Sequence, residues 1–133
     1  MREILFRGKA INRDKREYRT DYKNGDWVYG FFMRKYDERF ENLPAEMSNE
    51  YGVTGIEVDY KTIGEYTGLT DTSGKKIFEG DIVVNDLSQM NALSNTPHVV
   101  EFENGVWKYI SDEWRKVKIV GNIHDNPELL DKR

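Results

Sequence analysis

The chain has 133 residues, which is enough for one domain or at most two small lobes, and 13% of them are aromatic, too many for a disordered chain. It contains no cysteine, and this excludes disulfide scaffolds, thiolate metal sites and cysteine nucleophiles. The net charge is −4, and 33% of the residues are charged. The sequence shows no apolar leader and no apolar run near the roughly 18 residues that a membrane span needs, so we expect a soluble cytoplasmic protein.

The first part of the chain predicts two strands and a tight turn. Apolar residues at positions 4, 6, 10 and 11 indicate a short first strand that ends near Gly8. Asn24-Gly25-Asp26 favours a turn, because Asn and Gly tolerate the positive φ that tight hairpins require. Residues 27–33 follow with the aromatic and β-branched side chains that suit a strand.

The middle of the chain predicts strands between two loops. Residues 34–50 are charged and contain a proline, which predicts a long loop with room for one helical turn. Residues 52–67 alternate apolar and polar side chains, the pattern of a strand with one wet face. A turn is predicted at 71–74, followed by strands within 75–84. The polar residues 86–97 predict a second loop or insertion.

The last third predicts a hairpin, one more strand and a helical turn. Residues 98–110 are centred on Asn104-Gly105, the strongest short hairpin signal. Residues 117–123 predict a strand. Asn126 is expected to cap a helical turn that has a proline at its first position.

These elements amount to seven to nine short strands with little helix. We therefore predict an all-β (mainly β) fold, a small SH3-like barrel with additional hairpins, long loops and a short C-terminal helical turn. Residues 1–133 are expected to form a single β-rich domain, in which a division into two lobes would fall near residue 60. Five glycines are expected to shape its turns through their backbone geometry: Gly25, Gly68, Gly74, Gly80 and Gly105.

The charge is unevenly distributed. Residues 1–40 carry eleven Lys or Arg against seven Asp or Glu, a net of +4, and residues 41–133 carry nine against seventeen, a net of −8. The basic residues cluster early in the chain, at Arg7, Lys9, Arg13, Lys15, Arg16, Arg19 and Lys23. Such a cluster is typical of a solvated strand edge, but with interleaved aromatic residues it also provides the ingredients of a nucleic-acid-binding groove. We expect Trp27, Phe31 and Trp107 to belong to the core.

No catalytic or cofactor site stands out. His98 and His124, the two histidines, do not have the spacing of a metal-binding motif. Residues 68–76 superficially resemble a phosphate-binding loop, but the glycine spacing is one residue too long, and Lys76 stands where Ser or Thr should hold magnesium. We therefore predict no cofactor, no metal and no enzymatic activity, and a hydrolase using either histidine is the least favoured alternative.

Residues 62–83 carry a distinctive run, TIGEYTGLTDTSGKKIFEGDIV. This run resembles the central motif of the YopX family of bacteriophage and prophage proteins. Residues 1–7 resemble the family's opening, 99–102 its late strand, and 120–123 together with 126–130 its closing segment. Two segments depart from this pattern and look like variable loops, 34–55 and 85–97.

The resemblance implies a small phage or prophage protein with a β-rich, SH3-type barrel, acting inside a bacterial host cell. It implies no reaction and supplies no catalytic positions. We therefore expect a non-enzymatic accessory protein that binds a second copy of itself or another protein. The charge asymmetry permits such oligomeric contact, and no membrane partner is expected. A nucleic-acid-binding small β-barrel that uses the basic N-terminal hairpin is the alternative.

Overall fold

Ten strands and one 3₁₀ turn make up the part of the chain that the computed structural model describes, residues 3–11, 22–35, 45–85, 96–108, 110 and 116–131. The strands are β1 (Phe6–Ala10), β2 (Trp27–Lys35), β3 (Ala45–Asn49), β4 (Ile56–Thr70), β5 (Lys76–Phe78), β6 (Asp81–Asn85), β7 (His98–Val99), β8 (Phe102–Glu103), β9 (Val106–Trp107) and β10 (Val117–Asn122). The 3₁₀ turn follows at Pro127–Leu130. The predicted mainly β fold class, with its short C-terminal helical turn, is therefore confirmed.

The packing of the backbone divides the chain into two compact units. The N-terminal unit is Ile4–Glu65, and the C-terminal unit consists of Met1–Glu3 together with Tyr66–Arg133. β4 begins at Ile56 and ends at Thr70, so its backbone continues from one unit into the other. Each unit therefore receives part of the same strand.

Four strands of the N-terminal unit pair in a cycle. β1 pairs with β2, β2 with β3, β3 with β4, and β4 returns to β1, all of them antiparallel. Each strand thus has a neighbour on both edges, and its paired backbone groups are satisfied within the unit. The arrangement is barrel-like.

Side chains from all four strands fill the inside of this unit. Its buried members are Ala10, Val28, Ala45, Met47, Ile56 and Val58, and Phe6, Tyr22 and Ile63 pack against them. Gly8 lies in the same layer, since a Cβ atom there would come within 3.0 Å of the Met47 Sδ atom. Because glycine permits this close approach, β1 runs through Gly8 instead of ending near it as predicted.

The prediction of a continuous loop over residues 34–50 is wrong at both ends. β2 extends through residues 34 and 35, and β3 occupies Ala45–Asn49. Ala45 and Met47 point into the core, but Ser48 and Asn49 are buried as well, so the segment lacks the polar alternation that marks a strand. Two parts of the predicted loops lie outside the described residues, 36–44 and 86–95.

β4 begins at Ile56, later than predicted. The backbone φ angles of Gly52 and Gly55 are +89° and +70°, which are values of a turn and not of a strand. The Oδ1 atom of Asn49 accepts hydrogen bonds from the backbone N–H groups of Tyr51 at 3.0 Å and Val53 at 2.9 Å. This side chain therefore organises a turn between β3 and β4.

β6 is the central strand of a three-stranded sheet in the C-terminal unit. It pairs with β10 on one edge and with β7 on the other, both antiparallel, while β5 pairs with the end of β4. The core of this unit consists of Ile77, Val83, Val100 and Val117, with Leu69, Trp107, Ile110 and Ile119 packed against it. The predicted turn before β5 is present, since the N–H of Gly74 donates to the carbonyl of Asp71 at 3.0 Å.

The hairpin around Asn104-Gly105 is shorter than predicted. β8 and β9 pair over only two residues each, and the two turn residues have φ angles of +55° and +83°, as a tight hairpin turn requires. Val100 interrupts the first predicted strand, because its side chain is fully buried and its backbone exchanges hydrogen bonds with residues 80 and 81. All five glycines expected at turns have positive φ: Gly25, Gly68, Gly74, Gly80 and Gly105. The expected turn position is wrong for Gly68, which lies inside β4 where the register with β5 shifts.

The 3₁₀ turn at Pro127–Leu130 lacks the predicted cap. The side chain of Asn126 makes no capping hydrogen bond. Its Oδ1 atom instead accepts the backbone N–H of Asn122 at 3.3 Å, and a Cβ atom on Gly121 would lie 2.7 Å from the same oxygen. Asn126 therefore packs against the end of β10, and its amide oxygen accepts a hydrogen bond from that strand and does not cap the 3₁₀ turn.

The side chain of Asp71, directly after β4, joins the following turn to β10. Its Oδ1 atom accepts the backbone N–H of Ser73 at 2.9 Å, the Ser73 hydroxyl at 2.8 Å and the N–H of Lys75 at 2.9 Å. Its Oδ2 atom accepts the N–H of Ile119 at 3.1 Å. Burial raises the pKa of Asp71, but the hydrogen bonds from Ser73, Ile119 and Lys75 outweigh burial and hold the pKa below its usual value.

We predict that Asp71→Asn lowers the free energy of unfolding by about 1–3 kcal/mol at neutral pH, because buried N–H groups lose a charged acceptor. The folded pKa lies below the unfolded value of about 3.9, so the charge of Asp71 stabilises the fold above that pH and ceases to do so as the pH falls below about 4. Urea unfolding across this range measures the difference between wild type and variant, which is expected to shrink in acid. Asp131→Asn, at an exposed position, is the control. A difference that does not change with pH would contradict the assignment.

Candidate binding surface on β1 and β2

Strand alternation places basic and aromatic side chains together on the outer face of β1 and β2. On β1, inward-pointing residues alternate with Arg7 and Lys9. On β2, the buried Val28 is flanked by Trp27 and Tyr29, which therefore point outward. We name Arg7, Lys9, Trp27 and Tyr29 the aromatic–basic face.

The register of the two strands brings the cations of this face onto its largest ring. Lys9 is opposite Trp27, and Arg7 is opposite Tyr29. The Arg7 Cζ atom lies 4.4 Å from the centroid of the Trp27 ring, and the Lys9 Nζ atom lies 5.4 Å from it. Both distances fit cation–π contacts, and since Arg7 is only 6% exposed, little water screens its contact.

A hydroxyl group of β4 fixes the path of β1 at this face. The register between β1 and β4 shifts between Arg7 and Lys9. The Oγ1 atom of Thr62 accepts the N–H of Lys9 at 2.8 Å and donates to the carbonyl of Asp59 at 2.6 Å. Because Thr62 is buried, these two bonds hold the shifted register and set the direction of the basic side chains on either side of it.

Further along β2, three consecutive apolar side chains are exposed. Phe31, Phe32 and Met33, which we name the apolar segment, are 48%, 38% and 54% exposed. The register with β3 shifts between Phe32 and Arg34, so that Met33 is the additional residue of a bulge. An exposed run of this kind is typical of a surface that contacts another protein.

The charges of the N-terminal unit are separated by strand. β1 and β2 contain four Lys or Arg and no Asp or Glu. β3 and residues 56–65 of β4 contain four Asp or Glu and one Lys. Glu46 and Glu57 are even placed directly opposite each other. The positive pair of strands therefore adjoins a negative pair.

Three of the seven predicted basic residues fall within the described part of the chain. Arg7 and Lys9 belong to the aromatic–basic face, and Lys23 is exposed in the turn that precedes β2. The backbone N–H of Lys23 donates to the Oδ2 atom of Asp26 at 2.9 Å, which fixes this turn. The other four lie outside the described residues: Arg13, Lys15, Arg16 and Arg19.

The expectation that Trp27 and Phe31 belong to the core is wrong. Val28 occupies the inner face of β2, so both aromatic residues lie on the opposite face, Trp27 half-buried and Phe31 exposed. Trp107, in contrast, does pack against the core of the C-terminal unit. The aromatic composition of residues 27–33 indicated a strand but not which face would be inside.

The two histidines lie at the end of strands. His98 is half-buried in β7, and His124 is half-buried in the turn after β10. Among the described residues, no three His, Asp or Glu side chains are grouped so that they could hold a metal ion. Over the same residues, no helix is long and apolar enough to cross a membrane.

Comparison with known proteins places the chain in a family. The family profile described as YopX protein matches residues 8–131. The chain belongs to the YopX family. The crystal structure of protein EF1440 from Enterococcus faecalis is similar to this YopX-family protein over 98% of this chain and 99% of that chain, with 21% sequence identity and a TM-score of 0.54. This likeness shows a shared fold. No curated protein sequence matches the chain.

We predict that Arg7 and Trp27 are energetically coupled. Arg7→Met and Trp27→Leu are compared singly and together by urea unfolding, and the coupling free energy is expected to be about 0.5–2 kcal/mol, the range of cation–π contacts. The same cycle between Lys118→Met, at an exposed position of β10, and Trp27→Leu is expected to give no coupling. Additive effects of the Arg7 and Trp27 changes would show that the contact does not stabilise the fold.

Proposed function

We propose that this YopX-family protein is a non-enzymatic accessory protein of a phage or prophage, a small SH3-like β protein of the host cytoplasm that works by binding. We further propose that it binds a second copy of itself through the apolar segment of β2. The observation that carries this proposal is the exposure of three consecutive large apolar side chains, Phe31, Phe32 and Met33.

Transfer of apolar surface out of water supports such an interface. Burial stabilises association by about 25 cal/mol per Å² of apolar surface, and the three side chains are each more than one-third exposed. Two copies related by a two-fold axis present the same segment to each other, so one patch suffices for both sides of the contact.

Charge separation favours the same arrangement. The positive strands β1 and β2 adjoin the negative strand β3, which pairs directly with β2. A second copy rotated about the apolar segment can set its positive strands beside the negative strands of the first. The non-enzymatic part of the proposal is supported by the sequence, which lacks cysteine and any catalytic motif.

Sedimentation velocity over a concentration series from low to high micromolar tests self-association of the full chain. The wild type is expected to shift from monomer to dimer. The double variant Phe31→Ser, Met33→Ser is expected to weaken the dimer at least about tenfold, because truncating a buried interface anchor costs roughly 2 kcal/mol or more.

Tyr51→Ser provides the matched control. Tyr51 is 88% exposed in the turn between β3 and β4, so this variant removes a large exposed ring outside the apolar segment. It is expected to dimerise like the wild type. A wild type that remains monomeric at every concentration, or a control that loses dimer as much as the double variant does, would contradict the proposal.

A further inference from the structure

We propose that the aromatic–basic face binds single-stranded nucleic acid. The inference goes beyond self-association and does not rest on it, because it uses Trp27, Tyr29, Lys9 and Lys23 and none of the residues of the apolar segment. Its basis is the placement of stacking rings and positive charges on the same two strands.

The spacing of the two rings suits successive bases of an extended strand. Trp27 and Tyr29 are two residues apart on β2, which separates their attachment points by about 6.8 Å. This separation is about twice the 3.4 Å rise per base in a stacked strand, so an unstacked strand can place one base on each ring. Tyr29 is exposed, and every base has an aromatic face that can stack on its ring. Trp27 is half-buried with Arg7 and Lys9 over its ring, so a base contacts Trp27 only where these two cations leave the ring uncovered.

The positive charges lie where the backbone of such a strand would run. Lys9 is partly exposed above the Trp27 ring, and Lys23 is exposed in the turn that precedes β2. Arg7 is buried against the Trp27 ring, so it holds the ring in place and adds positive potential to the face without reaching into solvent.

The neighbouring carboxylates do not make the net charge of the aromatic–basic face negative. Asp26 precedes β2, and its Oδ2 atom accepts the N–H of Lys23. Asp59 is opposite Lys9 on β4, and its Oδ1 atom accepts the N–H of Lys61 at 3.0 Å. These two carboxylates stand against three cations, Arg7, Lys9 and Lys23, so the sum of the named charges stays positive, and β1 and β2 themselves carry no acidic residue.

The rings favour nucleic acid over an acidic protein. An acidic peptide would be attracted by the lysines alone, whereas a single strand uses the lysines for its phosphates and the rings for its bases. A duplex would meet the lysines but would keep its bases stacked away from the rings. Binding of a single strand is thus expected to depend on both the lysines and the aromatic rings, whereas binding of an acidic peptide or a duplex would depend on the lysines alone.

Fluorescence anisotropy of labelled single-stranded DNA and RNA tests the proposal across a salt series. Both strands are expected to bind the full-length protein, with the logarithm of the affinity falling by about 0.7 per phosphate contact for each unit of log salt. A duplex of the same sequence, polyphosphate and polyglutamate serve as competitors. Each is expected to compete more weakly than the unlabelled single strand.

Two variants separate stacking from charge. Tyr29→Leu is expected to weaken binding at least about fivefold, because stacking on one ring is worth about 1–3 kcal/mol per base. Lys23→Glu, at an exposed turn position, is expected to weaken binding and to reduce the salt dependence. Circular dichroism verifies that both variants are folded.

Matched changes elsewhere in the N-terminal unit provide the controls. Tyr51→Leu removes an exposed ring from a turn, and Lys61→Glu reverses an exposed charge on β4. Both are expected to bind like the wild type, and so is the double variant Phe31→Ser, Met33→Ser, which isolates this proposal from self-association.

Three outcomes would overturn the proposal. The first is a lack of binding even at low salt, and the second is equal affinity for duplex, polyphosphate or polyglutamate, which would mean attraction by charge alone. The third is a loss of binding in the controls as large as in Tyr29→Leu and Lys23→Glu, which would place the contact outside the aromatic–basic face.

Discussion

The pairing of β4 with three other strands is the constraint on which the rest of the structure depends. β4 pairs with β1 and β3 in the N-terminal unit and with β5 in the C-terminal unit. Val58 illustrates its position, since it is opposite Ala10 on one edge and Ala45 on the other, and all three are buried. Without this two-sided pairing, β1 and β3 would each have an open edge, and the cycle of four strands would not form.

The surface features of β1 and β2 follow from this arrangement. Thr62 of β4 fixes the shift in register that directs Arg7 and Lys9, and the cyclic pairing forces Trp27 and Tyr29 to the outside because Val28 fills the inside. Side chains held on paired strands keep their spacing better than side chains on loops do. The N-terminal unit therefore presents its rings and charges in fixed positions, which is what a binding surface requires when no induced rearrangement supplies the fit.

The turns and the strand-forming segments could be predicted from the sequence, whereas the pairing of strands that are distant in the chain could not. Asn104-Gly105 and the run around Asp71 predicted their turns correctly, because the backbone conformation there is set by the residues themselves. The interruption at Val100 was hidden because it depends on hydrogen bonds to residues 80 and 81. For the same reason, the sequence showed a cluster of basic residues but not the contact between Arg7 and Trp27. That contact depends on the register between β1 and β2, which the sequence alone does not give. The apolar segment was missed because Phe31 was expected in the core, and because the bulge at Met33 depends on the register between β2 and β3.

The turn after β4 also determines what the outer edge of β10 can do. β10 pairs with β6 on one edge, while on the other its Val117 carbonyl accepts the N–H of Thr72 at 3.0 Å and its Ile119 N–H is bound by Asp71. These two groups are the ones that an incoming strand from another molecule would need. The turn thus prevents a strand of another molecule from pairing with this edge of β10. Its failure would leave this edge of β10 open as a template for cross-β assembly.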